Sequence, residues 1–353
     1  MKRTLILSGL CAALCLALFS FASAQRQSIT KPPAAKQAAT QYAAKVSGPY
    51  THKNLSVFLI HGADQTDGKT YLTLQEAMRQ KKVVVHETQN VNQLAIENVS
   101  NEEVYVQAGD IVKGGQQDRV LSFDLVVPPH SGRLPINAFC VEQGRWSKRA
   151  GEGVMAFSES VNVLSSKELK LAAKRSQSQQ EVWRNVAVAQ QKLSSNVRAK
   201  VAADASATSL QLTLENQTVK ATAQEYLKTL TPIIADKPDV IGYAFAINGE
   251  FNSADVYASP ALFRKLWDKL LEASAIEAIA EFDQPKSDSA ATVKTVEATL
   301  AEAENGPASQ PASEKDVTAR VKLRTRETKD HVLFETRDQQ RKEAWVHRNY
   351  VKK

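Results

Sequence analysis

Two segments of eight residues each, Val240–Ile247 and Glu250–Tyr257, flank the dipeptide Asn-Gly at 248–249. A two-residue hairpin turn needs positive φ at both central positions, and Asn-Gly adopts this conformation most readily. The sequence therefore predicts an antiparallel β-hairpin at this point. Ser-Pro at 259–260 follows, and a Ser N-cap with Pro in the first turn predicts the start of a helix.

The pattern of apolar residues differs between the two halves of the chain. In the first half, short apolar runs alternate with turn signals and predict strands over residues 55–60, 83–87, 93–99, 104–107, 119–127 and 134–141. Thr73 and Glu76 form a capping box that predicts one short helix among them. Residues 167–203 and 219–234 have helical periodicity instead. The predicted fold class is α+β, with a mainly antiparallel β N-terminal half and a helical second half that contains the β-hairpin.

The longest predicted helix, over residues 167–203, has one apolar face formed by Val182, Val186, Ala189, Leu193 and Val197. Such a stripe serves either as a coiled-coil seam for a partner or as the face that packs on the protein's own sheet. The seam is short and its residues are small, which favours packing within the chain.

Residues 1–24 have the layout of a secretory signal peptide, with a basic start, an apolar run and Ala-Ser-Ala before Gln25. The apolar run of about 17 residues is at the lower limit for a membrane span. We expect cleavage before Gln25, export to the periplasm or the exterior, and a mature chain without a membrane span. Residues 25–51, rich in Ala, Gln, Lys, Ser and Pro, are predicted to be a flexible leader.

Composition narrows the classes of protein further. Two of the three Cys residues lie in the signal segment, so no disulfide can form within the mature chain and its fold rests on a hydrophobic core. Cys140 lies in an apolar run and is predicted to be a buried structural thiol rather than a nucleophile. Two of the 45 Lys and Arg residues lie in the signal segment. The other 43 exceed the 38 Asp and Glu residues by five, so the mature chain carries a mild positive charge. Charges of both signs are interspersed, so the sequence does not indicate binding to nucleic acid.

The chain after the predicted main domain (residues 52–282) falls into two parts. Residues 283–316 are an Ala, Ser, Pro and Glu tract without apolar periodicity and are predicted to be a disordered linker. Residues 317–353 form a small basic β-strand unit with strands predicted at 321–325, 331–335 and 345–350. A unit of this size is only marginally stable by itself, and we therefore expect it to dock on the main domain or on a partner. Its basic and aromatic residues are typical either of contact with an anionic polymer or of a solvated strand face.

The candidate functional site is the stretch 109–146, where long polar side chains occupy turns at the ends of strand-like runs. Rigid strand ends are where sites are commonly built. Ligand binding is assigned to Lys113, Gln116, Arg119, Gln143 and Trp146. The candidate catalytic residues are Glu142 and Arg145. In this assignment the two ligand-binding cations hold an anion, the glutamines supply directional hydrogen bonds and Trp146 forms a wall.

No segment of the sequence matches a catalytic signature. The Gly-rich turn lacks the Walker pattern and the dinucleotide fingerprint, and no nucleophile elbow is present. The six His residues have no metal-ligand spacing, so no metal and no cofactor are predicted. Glu142 could act as a general base or orient Arg145, and Asp110 could form a carboxylate pair with Glu142. Whether the chain is an enzyme therefore stays open.

The sequence resembles a bacterial family, the ARG and rhodanese–phosphatase-superfamily-associated domain. The motifs that carry the resemblance are VKGGQQDR (112–119), CVEQGRW (140–146), YLTLQEA (71–77), EVW (181–183) and the segment 242–279. Together they cover residues 52–281, and the strands after Val321 lie outside. The resemblance implies a genomic association with ADP-ribosylglycohydrolase-type and phosphatase-like proteins, and it implies no catalytic mechanism. Gly-Gly at 114–115 and Asp118 depart from the family's usual turn, where a single small residue often follows Gly.

Two functions follow from the candidate site. The first is an exported module that binds an anionic ligand such as a sugar phosphate or ADP-ribose through the 109–146 turns. The second is a structural or protein-interaction module of the cell envelope. In that case the same residues form a buried network, and the 167–203 helix or the basic C-terminal unit contacts the partner. An open cleft around these side chains favours the first function, and their burial with satisfied donors favours the second.

Overall fold

The structure is a computed structural model that describes residues 45–88, 90–145, 147, 156–163, 166–283, 290–307, 314–318 and 320–353. The strands, in chain order, are β1 (Lys45–His52), β2 (Leu55–His61), β3 (Leu72–Thr73), β4 (Val83–Glu87), β5 (Gln93–Asn98), β6 (Val104–Val106), β7 (Asp110–Gly114), β8 (Arg119–Leu121), β9 (Leu125–Val127), β10 (Gly132–Cys140), β11 (Phe157–Val163), β12 (Val240–Ile247), β13 (Glu250–Tyr257), β14 (Glu314–Asp316), β15 (Val321–Glu327), β16 (His331–Asp338) and β17 (Ala344–Lys352).

The helices are α1 (Leu74–Arg79), α2 (Lys167–Leu171), α3 (Gln179–Val197), α4 (Leu210–Leu214), α5 (Gln217–Leu230), α6 (Pro260–Ala280) and α7 (Val293–Asn305). A π-helical turn, Ala172–Ser176, continues α2, and a 3-10 turn, Thr231–Ile234, continues α5. The α+β fold class is confirmed, with antiparallel sheets in the N-terminal half and helices concentrated in the second half.

Strands from the two ends of the chain meet in one antiparallel sheet. Its order is β1-β2-β12-β13-β17-β16-β15-β14. The predicted hairpin forms its centre, and the turn residues Asn248 and Gly249 have φ of 52° and 83° as the prediction requires. The other strands form a sheet in the order β11-β7-β8-β10-β5-β4 and a small sheet in the order β3-β6-β9, in which β3 and β6 are parallel.

The central sheet is covered on both faces. Alternate residues of β2 point to opposite sides, so Leu55, Val57 and Leu59 pack in the same core cluster as α6 while Phe58 and Ile60 pack in the cluster of α7. Helix α6 is buried along most of its length because it also contacts α3, α5 and β11. Its N-cap is Ser259, as predicted.

Helix α3 packs within the chain, as its small apolar stripe favours. Its buried residues are Val182, Val186, Ala189 and Leu193, which face the main core cluster that includes α6. The predicted continuous helix is interrupted, because the π-helical turn ends at Gln177 in the left-handed conformation (φ 48°) before α3 begins. The capping box of α1 is present as predicted: the Glu76 backbone N–H donates to Thr73 Oγ1 at 3.2 Å, and Glu76 Oε2 accepts from the Thr73 backbone N–H at 2.8 Å.

Three predictions about the chain's organisation are wrong. The prediction of a flexible leader over residues 25–51 is wrong for residues 45–51, because they belong to β1. Residues 25–44 lie outside the described part of the chain. The prediction of a disordered linker over residues 283–316 is wrong where α7 and β14 form. Helix α7 buries Val296, Leu300 and Ala303 on the outer face of the central sheet. The single strand predicted over 119–127 is two strands, β8 and β9, in different sheets. Each error arose where contacts distant in sequence supply the order that local composition lacks.

The C-terminal strands form where they are predicted but do not form a separate unit. Strand β17 pairs with β13 of the hairpin along Ser253–Tyr257, so the basic segment completes the central sheet. All described residues lie in one compact unit. The segment that was expected to dock on the main domain is therefore part of the same continuous β-sheet. Its residues Val332, Leu333, Tyr350 and Val351 are buried.

We expect Leu300→Ala in α7 to lower the free energy of unfolding by about 2–4 kcal/mol, because the change leaves a cavity against the sheet. Glu297→Ala, on the exposed side of the same helix, should change it by less than about 0.5 kcal/mol. Urea unfolding followed by circular dichroism measures both. Equal, negligible effects would mean that α7 does not cover the sheet in solution.

Candidate functional site

The candidate site is built around the tight turn that joins β7 to β8. Gly114 and Gly115 have φ of 115° and 57°, a region that disfavours other residues. A Cβ on Gly114 would lie 2.6 Å from the Ala156 carbonyl oxygen, and one on Gly115 would lie 2.5 Å from Glu87 Oε1. The double glycine therefore allows the turn to approach both β11 and the end of β4.

Three buried or nearly buried charges connect this turn to the loop after β10. Arg145 Nε donates to Glu142 Oε2 at 2.8 Å, and Arg145 Nη2 lies 3.7 Å from Asp118 Oδ1. Asp118 Oδ1 accepts from the Gly114 backbone N–H at 2.9 Å, and its Oδ2 accepts from the Ser209 hydroxyl at 3.1 Å. Asp118 and Glu142 are fully buried. The Arg145 guanidinium thus joins two carboxylates that burial alone would disfavour.

The other two predicted cations also contact carboxylates. Lys113 Nζ donates to both oxygens of Glu215 at 2.9 and 2.8 Å. Burial, the largest single effect, acts to raise the pKa of Glu215, but the hydrogen bonds from Lys113 and Gln211 and the charges of Lys113 and Lys220 together outweigh it, so the pKa is lowered. Arg119 is 1% exposed, and its Nη2 lies 3.7 Å from Glu87 Oε2. Both cationic side chains therefore already contact carboxylates of the chain itself.

The two predicted hydrogen-bonding residues, Gln116 and Gln143, make contacts with different parts of the chain. The backbone N–H of Gln116 donates to Glu87 Oε1 at 2.8 Å, whereas Gln143 is exposed and its backbone exchanges hydrogen bonds with the Thr208 hydroxyl. Trp146 lies outside the described residues. Asp110 does not pair with Glu142, because it is buried against Lys269, whose Nζ lies 2.5 Å from its Oδ1.

The structure places a second buried polar cluster at its centre, which the sequence analysis missed. His347 on β17 bonds through Nδ1 to Asp124 Oδ2 at 2.8 Å and through Nε2 to Asp255 Oδ1 at 3.1 Å. The ring of Tyr257 stacks on the His347 ring with centroids 4.4 Å apart. Lys174 Nζ donates to Asn349 Oδ1 at 2.9 Å beside them. The adjoining cavity is about 10 Å³, the size of one water molecule, so it has no room for a substrate.

The electrostatics of this cluster favour an imidazolium between two carboxylates. Burial acts to lower the pKa of His347, but Asp124 and Asp255 outweigh it and the pKa is raised. Burial, the largest single effect, likewise acts to raise the pKa of both Asp side chains. In Asp124 the charge and hydrogen bond of His347, with the charge of Lys174 and the Thr336 hydroxyl, together outweigh burial and hold the pKa well below its usual range. In Asp255 the charge of Lys170 and the His347 hydrogen bond have the same effect. The six scattered His residues offered no local signal for this cluster, because His347 lies 92 residues from Asp255 and 223 residues from Asp124 along the chain.

Cys140 is 2% exposed, and burial raises the pKa of its thiol. Its backbone N–H and carbonyl both bond to the Gln179 side chain at 2.8 Å, which ties β10 to α3. These contacts agree with a structural thiol. In the described part of the chain, no group of three or more His, Cys, Asp or Glu residues is arranged to hold a metal ion. No helix within the described residues has the length and apolarity to cross a membrane.

The chain belongs to the family of the ARG and Rhodanese-Phosphatase-superfamily-associated Protein domain, whose model matches residues 43–351. The match is wider than the resemblance seen in the motifs, since it includes β1 and the C-terminal strands. It therefore agrees with the single compact unit described above. No curated protein and no solved structure matches the chain.

We expect His347→Gln to lower the free energy of unfolding by about 3–5 kcal/mol at pH 6, because two buried carboxylates lose their cation. The raised pKa of His347 means that this stabilisation is complete below its unfolded pKa and is lost as the pH rises through the folded pKa. Urea unfolding from pH 5.5 to 9 should show the gap between parent and variant narrowing with rising pH. His86→Gln, in a half-exposed pair with Glu97, is the control and should cost less than about 1 kcal/mol.

Proposed function

We propose that this chain is an exported structural or protein-interaction module of the cell envelope, in which the polar turns of 109–145 hold the strands together. The observation that supports this most directly is the charge balance of the turns. Their three cations, Lys113, Arg119 and Arg145, each contact carboxylates of the chain itself. Among the described residues four carboxylates take part, from Glu87, Asp118, Glu142 and Glu215, so this described group carries one more negative than positive charge.

This balance disfavours an anion at the turns. An incoming phosphate would have to displace Glu142 from Arg145 or Glu215 from Lys113, and would leave a carboxylate without its cation. Removing one partner of a buried ion pair is strongly destabilising. The residues instead connect β7, β8, the loop after β10 and α4, which is the arrangement expected of a structural network.

A second candidate function, binding of an anionic ligand such as ADP-ribose, has one observation in its favour. The Nε of Arg119 and the Nε2 of Gln117 are buried, and no described residue accepts a hydrogen bond from either. Unsatisfied buried donors are costly, and an acceptor oxygen from a ligand or a water would satisfy them. Export in both cases rests on the signal-peptide layout of residues 1–24.

The two functions differ in what Arg145→Ala does. If the turns are structural, the variant should lose about 3–5 kcal/mol of stability, because Asp118 and Glu142 stay buried without their guanidinium. No nucleotide, ADP-ribose, sugar phosphate or simple anion should raise the Tm of the parent. Arg79→Ala, at an exposed arginine, controls for the loss of a positive charge. A ligand at about a hundred times its Kd would stabilise the parent by about 2.7 kcal/mol, and a shift of that kind lost in Arg145→Ala would favour the second candidate.

Export is tested by expressing the full chain in a bacterium and sequencing the N-terminus of the protein recovered from the periplasm and the medium. We expect Gln25 as the first residue, since the Ala-Ser-Ala pattern ends at residue 24. Ala24→Glu should block cleavage and leave the longer chain with the membranes. Recovery of the uncleaved parent in the cytoplasm would contradict the proposal.

A further inference from the structure

Three adjacent strands of the central sheet bring a serine, a histidine and an aspartate into one hydrogen-bonded row. Ser47 lies on β1, His61 ends β2, and Asp239 immediately precedes β12. The Ser47 hydroxyl lies 2.7 Å from His61 Nε2, and the other ring nitrogen, Nδ1, lies 3.0 Å from Asp239 Oδ2. The row lies outside the polar turns and the His347 cluster, and the proposed function does not use it.

The backbone of the sheet fixes this arrangement. Ser47 pairs with Leu59 across β1 and β2, and the first residue of β12 pairs with His61. Alternate residues of a strand point to the same face, so Leu59 and His61 share a face with Ser47. The Asp239 carbonyl accepts from the Gly62 backbone N–H at 2.9 Å, which holds the aspartate next to the end of β2. Strand pairing therefore positions all three groups.

The charge of Asp239 decides which nitrogen of His61 carries the proton. The largest effect on Asp239 is the hydrogen bond from His61, which lowers the pKa of its carboxyl, so the group is ionised at neutral pH and can only accept. In the neutral imidazole Nδ1 therefore holds the proton, and Nε2 is the acceptor. The Ser47 hydroxyl then donates to Nε2, which is the arrangement that prepares a serine to lose its proton during attack.

The row can be reached from solvent, unlike the two buried networks. The His61 side chain is 10% exposed and Ser47 is half-buried. Gly48 and Pro49, which follow the serine, are exposed. Gly48 has φ of 121° where the register between β1 and β2 shifts, and a Cβ there would lie 2.9 Å from the Val57 carbonyl oxygen. Glycine therefore allows the chain to bend directly after the hydroxyl, beside residues that face solvent.

We propose that Ser47 is a nucleophile that hydrolyses carboxylic esters, with His61 as its general base and Asp239 as the positioning residue that orients the ring. The inference goes beyond the proposed function, since it concerns a different surface and holds whichever role the polar turns have. Esters are favoured over amides because an open site supplies little preorganised charge stabilisation, and an alcohol or phenol leaves with less help than an amine.

The reaction has two balanced steps. Ser47 Oγ bonds to the ester carbonyl carbon while its proton passes to His61 Nε2. The bond from that carbon to the alcohol oxygen then breaks, and the leaving oxygen takes the proton from Nε2. A water attacks the acyl-serine with Nε2 again as the base, the acid is released, and the proton returns to Ser47 Oγ. Asp239 stabilises the imidazolium in both steps without taking its proton.

The test treats the mature protein with p-nitrophenyl acetate and, separately, with a fluorophosphonate, which loses fluoride when a serine oxygen bonds to its phosphorus. We expect a burst of about one p-nitrophenolate per chain and about one phosphonyl adduct per chain, which tandem mass spectrometry places on Ser47. Ser47→Ala should abolish both. His61→Gln should slow both by about a hundredfold or more, because the general base is lost. Asp239→Asn should lower kcat by about tenfold or more with KM and Tm unchanged, because Asp239 acts only through the ring.

Ser56→Ala is the matched control. The Ser56 hydroxyl lies on β2 and bonds to Thr51 Oγ1 at 2.9 Å, that is, to a threonine instead of a histidine. This variant should therefore react as the parent does. Circular dichroism and the Tm check that every variant is folded, and the position of the adduct in the parent tests the site independently of them. Neither a burst nor an adduct in the parent, an adduct on another residue, or full activity in Ser47→Ala, His61→Gln or Asp239→Asn would overturn the proposal.

Discussion

The structure depends most on the bonds of His347 to Asp124 and Asp255. Asp124 lies between β8 and β9, Asp255 on the central hairpin, and His347 on β17 near the end of the chain. Each carboxylate is buried at a site that would be strongly unfavourable without the imidazolium. The three segments must therefore be assembled together, which places the small sheet of β3, β6 and β9 against the central sheet. Asp124 also bonds to the Thr336 hydroxyl and the Ala108 backbone, so one carboxylate positions several elements at once.

A similar principle governs the polar turns, where Arg145 joins Asp118 and Glu142. In both places the chain supplies opposite charges to itself, and the interior is held in register by ion pairs rather than by apolar packing alone.

Local signals in the sequence predicted individual elements well and their arrangement poorly. The Asn248-Gly249 hairpin, the Thr73 capping box and the helix beginning after Ser259 were all predicted from residues that lie next to each other. Strand β1 and helix α7 were missed because their order comes from contacts with the central sheet. The composition of α7 alone resembles a linker, yet Val296 and Leu300 cover Phe58 and Ile60 on that sheet. Charged side chains of the 109–145 turns do contact one another, but the partners Glu87, Ser209 and Glu215 lie too far along the chain to be inferred.

The sequence by itself determined the α+β class, the family, most strand and helix positions and the crowding of charged residues at the 109–145 turns. These follow from periodicity, turn chemistry and motifs, which act over a few residues. Only the tertiary structure decided which charge meets which, because ion pairing and burial depend on distances between segments that the chain brings together from afar. That is why Lys113 and Arg119 looked like anion-binding residues in the sequence and prove to face Glu215 and Glu87. It is also why the His347 cluster emerged only in the fold.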